Sequence, residues 1–215
     1  LVCPLPTVDP ISNSIVCSGD SIPLQAFTSI PVDPSTTYNW TITNNIGSPL
    51  VSGTGSIPSF ITSNTTSSSI TATITVRGTQ GACTGPATTY TITVQPQPVI
   101  TVTNPAPVCA PTTVNITTAF TATGGGTISY WNDAAASIPL ANPNAVAASG
   151  TYYIKSTVGS STTCTDIRPV IVTIRPTEII TIACGTATLN SVTFNWNSIS
   201  DATGFSYSST INGIA

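Results

Sequence analysis

The chain has 215 residues, of which only 5% are charged: four Lys or Arg against seven Asp or Glu, with no His and no Met. So sparse a charge set supplies no basic field for nucleic acid or an anionic membrane surface, and no apolar run approaches the ~20 residues that a bilayer crossing needs, so neither kind of partner is expected. Without a Met, residue 1 is no translation start; the chain is expected to be a processed or excised piece of a longer polypeptide, with no signal peptide in the part given.

Taken in order, the segments alternate apolar and polar residues nearly everywhere. A turn, CSGDS (17–21), leads into a strand, IPLQAF (22–27), and VDPST (32–36) turns the chain into TYNWTIT (37–43). The strands SITATITV (69–76) and TTYTITV (88–94) flank the turn TQGA (79–82). GGG (124–126) precedes ISYWNDA (128–134); TYYIKSTV (151–158) and PVIVTI (169–174) flank VGSS (158–161); and SVTFNW (191–196) follows. Period-two alternation places Val, Ile and Tyr on a core face and Thr on a wet one, while Gly and Asp accept the backbone angles of tight turns. No helix of convincing length is present. Many short strands with frequent turns predict an all-β chain of β-sandwiches.

A repeat organises these strands. PLPTVDPISNSIVC (4–17) and PQPVITVTNPAPVC (96–109) share a Pro-x-Pro frame closed by Val-Cys. Trp40 then follows Cys17 by 23 residues and Trp131 follows Cys109 by 22; a second Cys comes at 83 and 164, and the closing strands end in TVQP (93–96) and TIRP (173–176). The first unit is therefore placed at 1–97 and the second at 98–176, each the size of an immunoglobulin-like sandwich. In this frame Cys3 aligns with Gln95 and Arg175, so residues 1–5 read as the tail of a preceding domain. The third segment, 177–215, opens differently. Its SVTFNW and ATGFSYS (202–208) resemble the start of a fibronectin type III domain, which needs about 90–100 residues, so this unit is read as incomplete and its strands after 190 as poorly ordered or in want of a partner.

Six Cys without any His argue for disulfides rather than zinc, and disulfides persist in oxidising compartments, so the chain is expected to be exported and extracellular. Within each unit the economical pairings are Cys17–Cys83 and Cys109–Cys164. These bridges meet a topological objection: in a standard sandwich the two positions lie at opposite poles, so each pair requires a displaced first strand or a long crossing loop. Cys3 and Cys184 would then pair outside the fragment or stay free. Trp40, Trp131 and Trp196 are read as core aromatics, since one large ring at the centre of a sandwich buries roughly 150–250 Å² at once. A sugar-binding face would need them exposed together. Tyr152 looks like a tyrosine-corner residue, its hydroxyl bonding a backbone group.

Catalytic arrangements are absent from the sequence. With no His and Lys155 as the only Lys, the many Ser residues lack a general base. The carboxylates Asp9, Asp20, Asp33, Asp133, Asp166, Glu178 and Asp201 stand singly, which argues against an acid and base pair or a calcium cluster. No enzyme activity, cofactor or metal is expected.

The frame of VCSG (16–19), a Trp near 40, GACTG (81–85) and TYTITVQP (89–96) resembles the PKD-like repeats of Bacteroidota surface proteins. VCAP (108–111), YWNDAAAS (130–137), the stretch from Leu140 to Ser156 and CTDIRPVIVTI (164–174) resemble the immunoglobulin-like repeats of the same proteins. The resemblance implies a long adhesin exported by type IX secretion, with the gliding-motility adhesins of flavobacteria as the members of choice. The acidic Trp-Asp-Phe-Gly-Asp-Gly core of PKD domains proper is missing, YNWTIT standing in its place. Three roles follow. The chain is a passive stalk with short Pro-rich joints, touching neighbouring domains of its own polypeptide; or a module binding surface polysaccharide or the secretion and motility machinery; or a spacer in a secreted polysaccharide-degrading enzyme. Asp20-Ser21-Ile22 also resembles the acceptor triplet of the O-glycosylation that Bacteroidota apply to exported proteins, which marks Ser21 as a candidate site, with simple turn-making as its alternative.

Overall fold

A computed structural model describes residues 5–159, 162–177, 181–188 and 192–196. Those residues are all-β, and they build tandem immunoglobulin-like β-sandwiches. No helix among the described residues is long and apolar enough to cross a membrane.

In the first half, β1 (Thr7–Val8), β2 (Ser14–Cys17), β3 (Ser21–Ile22), β4 (Ser29–Ile30), β5 (Thr37–Ile42), β6 (Ser52–Thr54), β7 (Phe60–Ile61), β8 (Ile70–Gln80) and β9 (Cys83–Gln95) follow in order. One layer is a five-stranded sheet ordered β2-β9-β8-β5-β6. The facing layer is made by β1 with β4 and by β3 with β7, the latter pairing extended by the bridge between Gln25 and Ile57. The alternation of β8 and β9 turns Ala72, Ile74, Val76, Ile92 and Val94 inward against Val8, Phe27, Ile57 and Phe60 of the facing layer. Of the expected continuous strand at 22–27, only Ile22 at the end of β3 and the isolated Gln25 bridge pair, and β4 begins beyond it at Ser29. Pro23 interrupts it, because a proline offers no N–H to a ladder.

The second half repeats the plan with β10 (Val99–Val102), β11 (Val108–Cys109), β12 (Phe120–Thr123), β13 (Thr127–Trp131), β14 (Gly150–Val158), β15 (Cys164–Val172) and β16 (Ile174–Arg175). A sheet ordered β13-β14-β15 faces β10 paired with β12, and Ile100, Val114, Ile116, Val146, Ile154, Val170 and Val172 fill the space between. Finally β17 (Ile182–Ala187) and β18 (Val192–Trp196) pair antiparallel, with a register shift between Cys184 and Ala187. The expectation for the remaining strands of 177–215 lies outside the described residues.

In both halves the first strand switches sheets: β1 pairs antiparallel with β4 while β2 pairs parallel with β9, and β10 pairs with β12 while β11 pairs parallel with β16. Cys17 therefore stands opposite Gln95, and Cys109 opposite Arg175, at the far end of each closing strand.

Candidate functional site

The parallel pairing settles where the cysteines can reach. Cys83 opens β9 opposite Gln80, whereas Cys17 lies beside Gln95 at its other end. Twelve strand residues at about 3.3 Å each separate those ends by roughly 40 Å, against the ~7 Å limit between the Cα atoms of a disulfide. Cys164 and Cys109 are kept apart in the same way along β15 and β16. Neither pairing expected from the sequence forms. Instead Cys17 is bonded to Cys164, with 5.6 Å between their Cα atoms, across 147 positions of chain. Cys83 is disulfide-bonded as well, and not to Cys17. Cys109 is a free, exposed thiol. Cys3 and the side chain of Cys184 lie outside the described residues.

The Cys17–Cys164 bond joins the two sandwiches, and its surroundings form a fixed joint. Cys17 is held by a turn in which the Asp20 N–H donates to the Cys17 carbonyl over 3.0 Å and the Cys17 N–H to an Asp20 carboxylate oxygen over 2.8 Å. The buried Thr62 hydroxyl donates to the Cys17 carbonyl, and the Ser18 N–H to the Gln95 carbonyl. The buried Asn64 amide ties the carbonyls of Ser68 and Val94 beside it. From the other side come the turn between β14 and β15 and the start of β15. The Thr162 hydroxyl donates to the Ile15 carbonyl, 3.2 Å away, and the Gln97 amide to the Thr165 carbonyl, 2.9 Å away. Gln95 Oε1 lies 3.5 Å from Cys164 Sγ. Gly159 has φ +87°, and a Cβ there would stand 2.2 Å from the Thr162 carbonyl oxygen and 2.0 Å from Gln95 Oε1, so the turn itself requires glycine while it lies against the Gln95 side chain. Between the two sheets Pro96 and Pro98 are fully buried, and the Ile100 N–H donates to Asp166, whose carboxylate also pairs with Arg168 at 3.0 Å.

The aromatic candidates divide. Trp40 is 2% exposed in the first core, and its ring covers Gly53 of the neighbouring strand, where a Cβ would stand 2.5 Å from the indole. Trp131 does not share that position: it is half-buried, and its Nε1 donates to Ser129 on the same face. The reason is parity. Tyr130 pairs with the fully buried Ile154 and packs edge-on to Phe120, 6.3 Å between ring centroids, so its neighbour Trp131 must point to the other face. Burial raises the Tyr130 phenol above its ordinary value. In the first core the same cause takes Tyr90 up to about 12. Tyr152 donates to the Ala148 carbonyl, 3.0 Å away, at the start of the penultimate strand of its sandwich. The side chain of Trp196 lies outside the described residues. Ser21 is exposed in β3, next to the Asp20 turn.

The carboxylates act as caps and ties. Asp33 is lowered below its ordinary 3.8 by the Ser35 hydroxyl and N–H, and Asp133 by the Ile138 N–H together with the Ser137 hydroxyl and N–H. Among the described residues no group of three His, Cys, Asp or Glu side chains is placed to hold a metal ion. Among the described residues the joint is the place where chemistry-bearing residues of both sandwiches converge, and what it can do is hold an angle.

No protein-family model matches the chain, and no curated protein matches it. Among solved structures the chain is similar to the insect immune protein hemolin, at 13% identity and a TM-score of 0.45 over 80% of this chain and 47% of that one. It is similar to the titin I-band fragment I67–I69 at 10% identity and a TM-score of 0.46, over 81% of this chain and 67% of that one. With Sidekick-1 immunoglobulin domains 1–5 the identity is 14% and the TM-score 0.44, over 84% and 40% of the two chains. This chain spans less than half the length of hemolin. Likeness of this degree adds nothing to the fold that the sheets and cores themselves define.

Proposed function

We propose that the chain is a non-catalytic segment of the stalk of a long extracellular adhesin, with units at 1–97 and 98–176, each spacing the next at a set angle. The observation that carries this reading is the joint: a disulfide between Cys17 and Cys164 beside the buried Pro96 and Pro98. A hinge meant to flex would leave a solvated, Gly- or Ser-rich linker, whereas here φ is fixed by proline and the two ends are covalently closed. Disulfides also favour an oxidising, extracellular setting. The repeat frame, by its resemblance to Bacteroidota surface proteins, points to a gliding-motility type of adhesin exported by type IX secretion, with Ser21 exposed for glycan attachment.

The test replaces residues 1–176 in the native polypeptide by an unrelated sandwich pair of equal length and stiffness. A stalk tolerates the exchange, and cell attachment persists; loss of attachment despite surface display would sink the stalk reading in favour of a binding module. Deleting the same residues should weaken attachment through shortened reach.

A further inference from the structure

We propose that Cys109 is the open half of a second junction disulfide, and that its partner is the cysteine at the start of the closing strand of another immunoglobulin-like unit of the same polypeptide, docked hairpin first on the Arg175 end of the second sandwich.

The two first-strand cysteines are equivalent in detail. Cys17 stands opposite Gln95 and Cys109 opposite Arg175, each at the end of a parallel pairing with the closing strand. The next N–H donates to that partner's carbonyl in both, Ser18 to Gln95 and Ala110 to Arg175, at 2.8 Å each. The turn that follows is closed alike, by Asp20 N–H on the Cys17 carbonyl and Thr112 N–H on the Cys109 carbonyl, at 3.0 Å each. The first of these positions is bonded to Cys164 of the next unit, while the second is exposed and free.

The hairpin cysteines are equivalent too. Cys83 pairs with Gln80 across the β8–β9 turn and Cys164 with Val158 across the β14–β15 turn, each the first residue of its strand. Both are engaged in disulfides, and neither with the first-strand cysteine of its own sandwich. Each sandwich therefore carries one cysteine at its hairpin end and one at its opposite end, and the Cys17–Cys164 bond joins two such ends head to tail, an arrangement that can repeat without closing on itself. Cys184 does not meet the requirement, because it lies within β17 opposite Phe194 and not at a hairpin before a closing strand.

Formation of the bond follows ordinary thiol–disulfide exchange with an oxidant of the disulfide class. The Cys109 thiolate attacks one sulfur of the oxidant and expels the other as a thiolate; the hairpin thiolate then attacks the mixed disulfide and expels the second. One protein disulfide forms, two protein thiols lose their protons, and the oxidant disulfide leaves reduced to two thiols. The inference rests on the junction geometry and not on the stalk reading, so an adhesin that binds through these units would carry it equally.

The experiment is peptide mapping of the native polypeptide, alkylated in denaturant without reduction. The Cys109 peptide is expected quantitatively joined to a peptide whose cysteine opens the closing strand of a later unit, on the order of 150 residues on by analogy with the first junction. Cys109→Ser in that polypeptide should then release one hairpin thiol per chain, while the Cys17–Cys164 peptide pair stays intact. Recovery of Cys109 as an alkylated free thiol in the native polypeptide overturns the proposal, as does its joining to Cys184 or to Cys109 of a second copy.

Discussion

The two sandwiches follow one plan but centre their cores on different side chains. The first places Trp40 between its layers, over Gly53; the second places Tyr130 there and sends Trp131 to the opposite face. Trp40 lies 23 residues beyond its first-strand cysteine, Tyr130 lies 21 and Trp131 lies 22. On a strand, only positions of equal parity share a face, so a difference of one residue exchanges core for surface. A Trp at a nearly conserved spacing is thus weaker evidence of burial than the alternation of its immediate neighbours.

That contrast can be broken by substitution. Trp40→Ala should cost about 3–5 kcal/mol, because the ring fills the first core and leaves a cavity behind. Tyr130→Ala should cost about 3 kcal/mol in the second core, and Trp131→Ala only about 1 kcal/mol. Denaturant unfolding of the three variants gives the ranking, and an equal loss at Trp131 and Tyr130 would refute the parity account.

A smaller effect compares each core with the joint between them. In the chain-entropy picture a disulfide closing a loop of 147 residues contributes roughly 5 kcal/mol. Here each sandwich folds around its own core and the segment 95–98 already tethers the two, so the paired change Cys17→Ser, Cys164→Ser should cost about 2 kcal/mol or less by the same measurement. The larger response is in shape: small-angle scattering should show a broadened distribution of maximum dimensions for the pair, whereas the parent chain keeps one elongated form.

The smallest effect sharpens the comparison at two turns. Asp33 and Asp133 both have carboxyls held below 3.8 by local donors. A group whose folded value is depressed adds stability above its unfolded value and loses it as pH falls through the folded one, so their contribution is complete at neutral pH and fades below about pH 4. Asp133→Asn should flatten that acid limb slightly, since the replacement has no charge to lose as pH falls. Urea midpoints between pH 2 and pH 7 would register it; an unchanged acid limb would show that the turn at 133–138 does not couple to folding.

How much of this was legible follows from the same details. The alternation in 69–76, 88–94 and 151–158 predicts β8, β9 and β14, since strand faces are encoded locally. The Pro-x-Pro and Val-Cys frame locates equivalent positions in both halves. That the cysteines form disulfides was legible, but their pairing was not, because the repeat suggests closure within a unit while the actual partner depends on a strand that changes sheets, and nothing in SNSIVC or PAPVC states which neighbour the strand joins. Likewise the joint was visible only as prolines. Their burial, and the fit of Gly159 against Gln95, come from two units meeting in space.

The burial of Pro96 and Pro98 has a consequence for resistance to proteolysis. Proteases cut where about ten residues of chain can loosen into an extended strand in the enzyme's cleft, which in multidomain proteins is commonly the segment between domains. Here that segment is packed, its Gln97 side chain is tied to Thr165, and both flanks are pinned by a covalent bond. Even a cut elsewhere in the first sandwich would leave its Cys17 peptide attached to the second. Limited digestion should therefore trim the chain from its exposed loops without releasing one half from the other until a reductant is added.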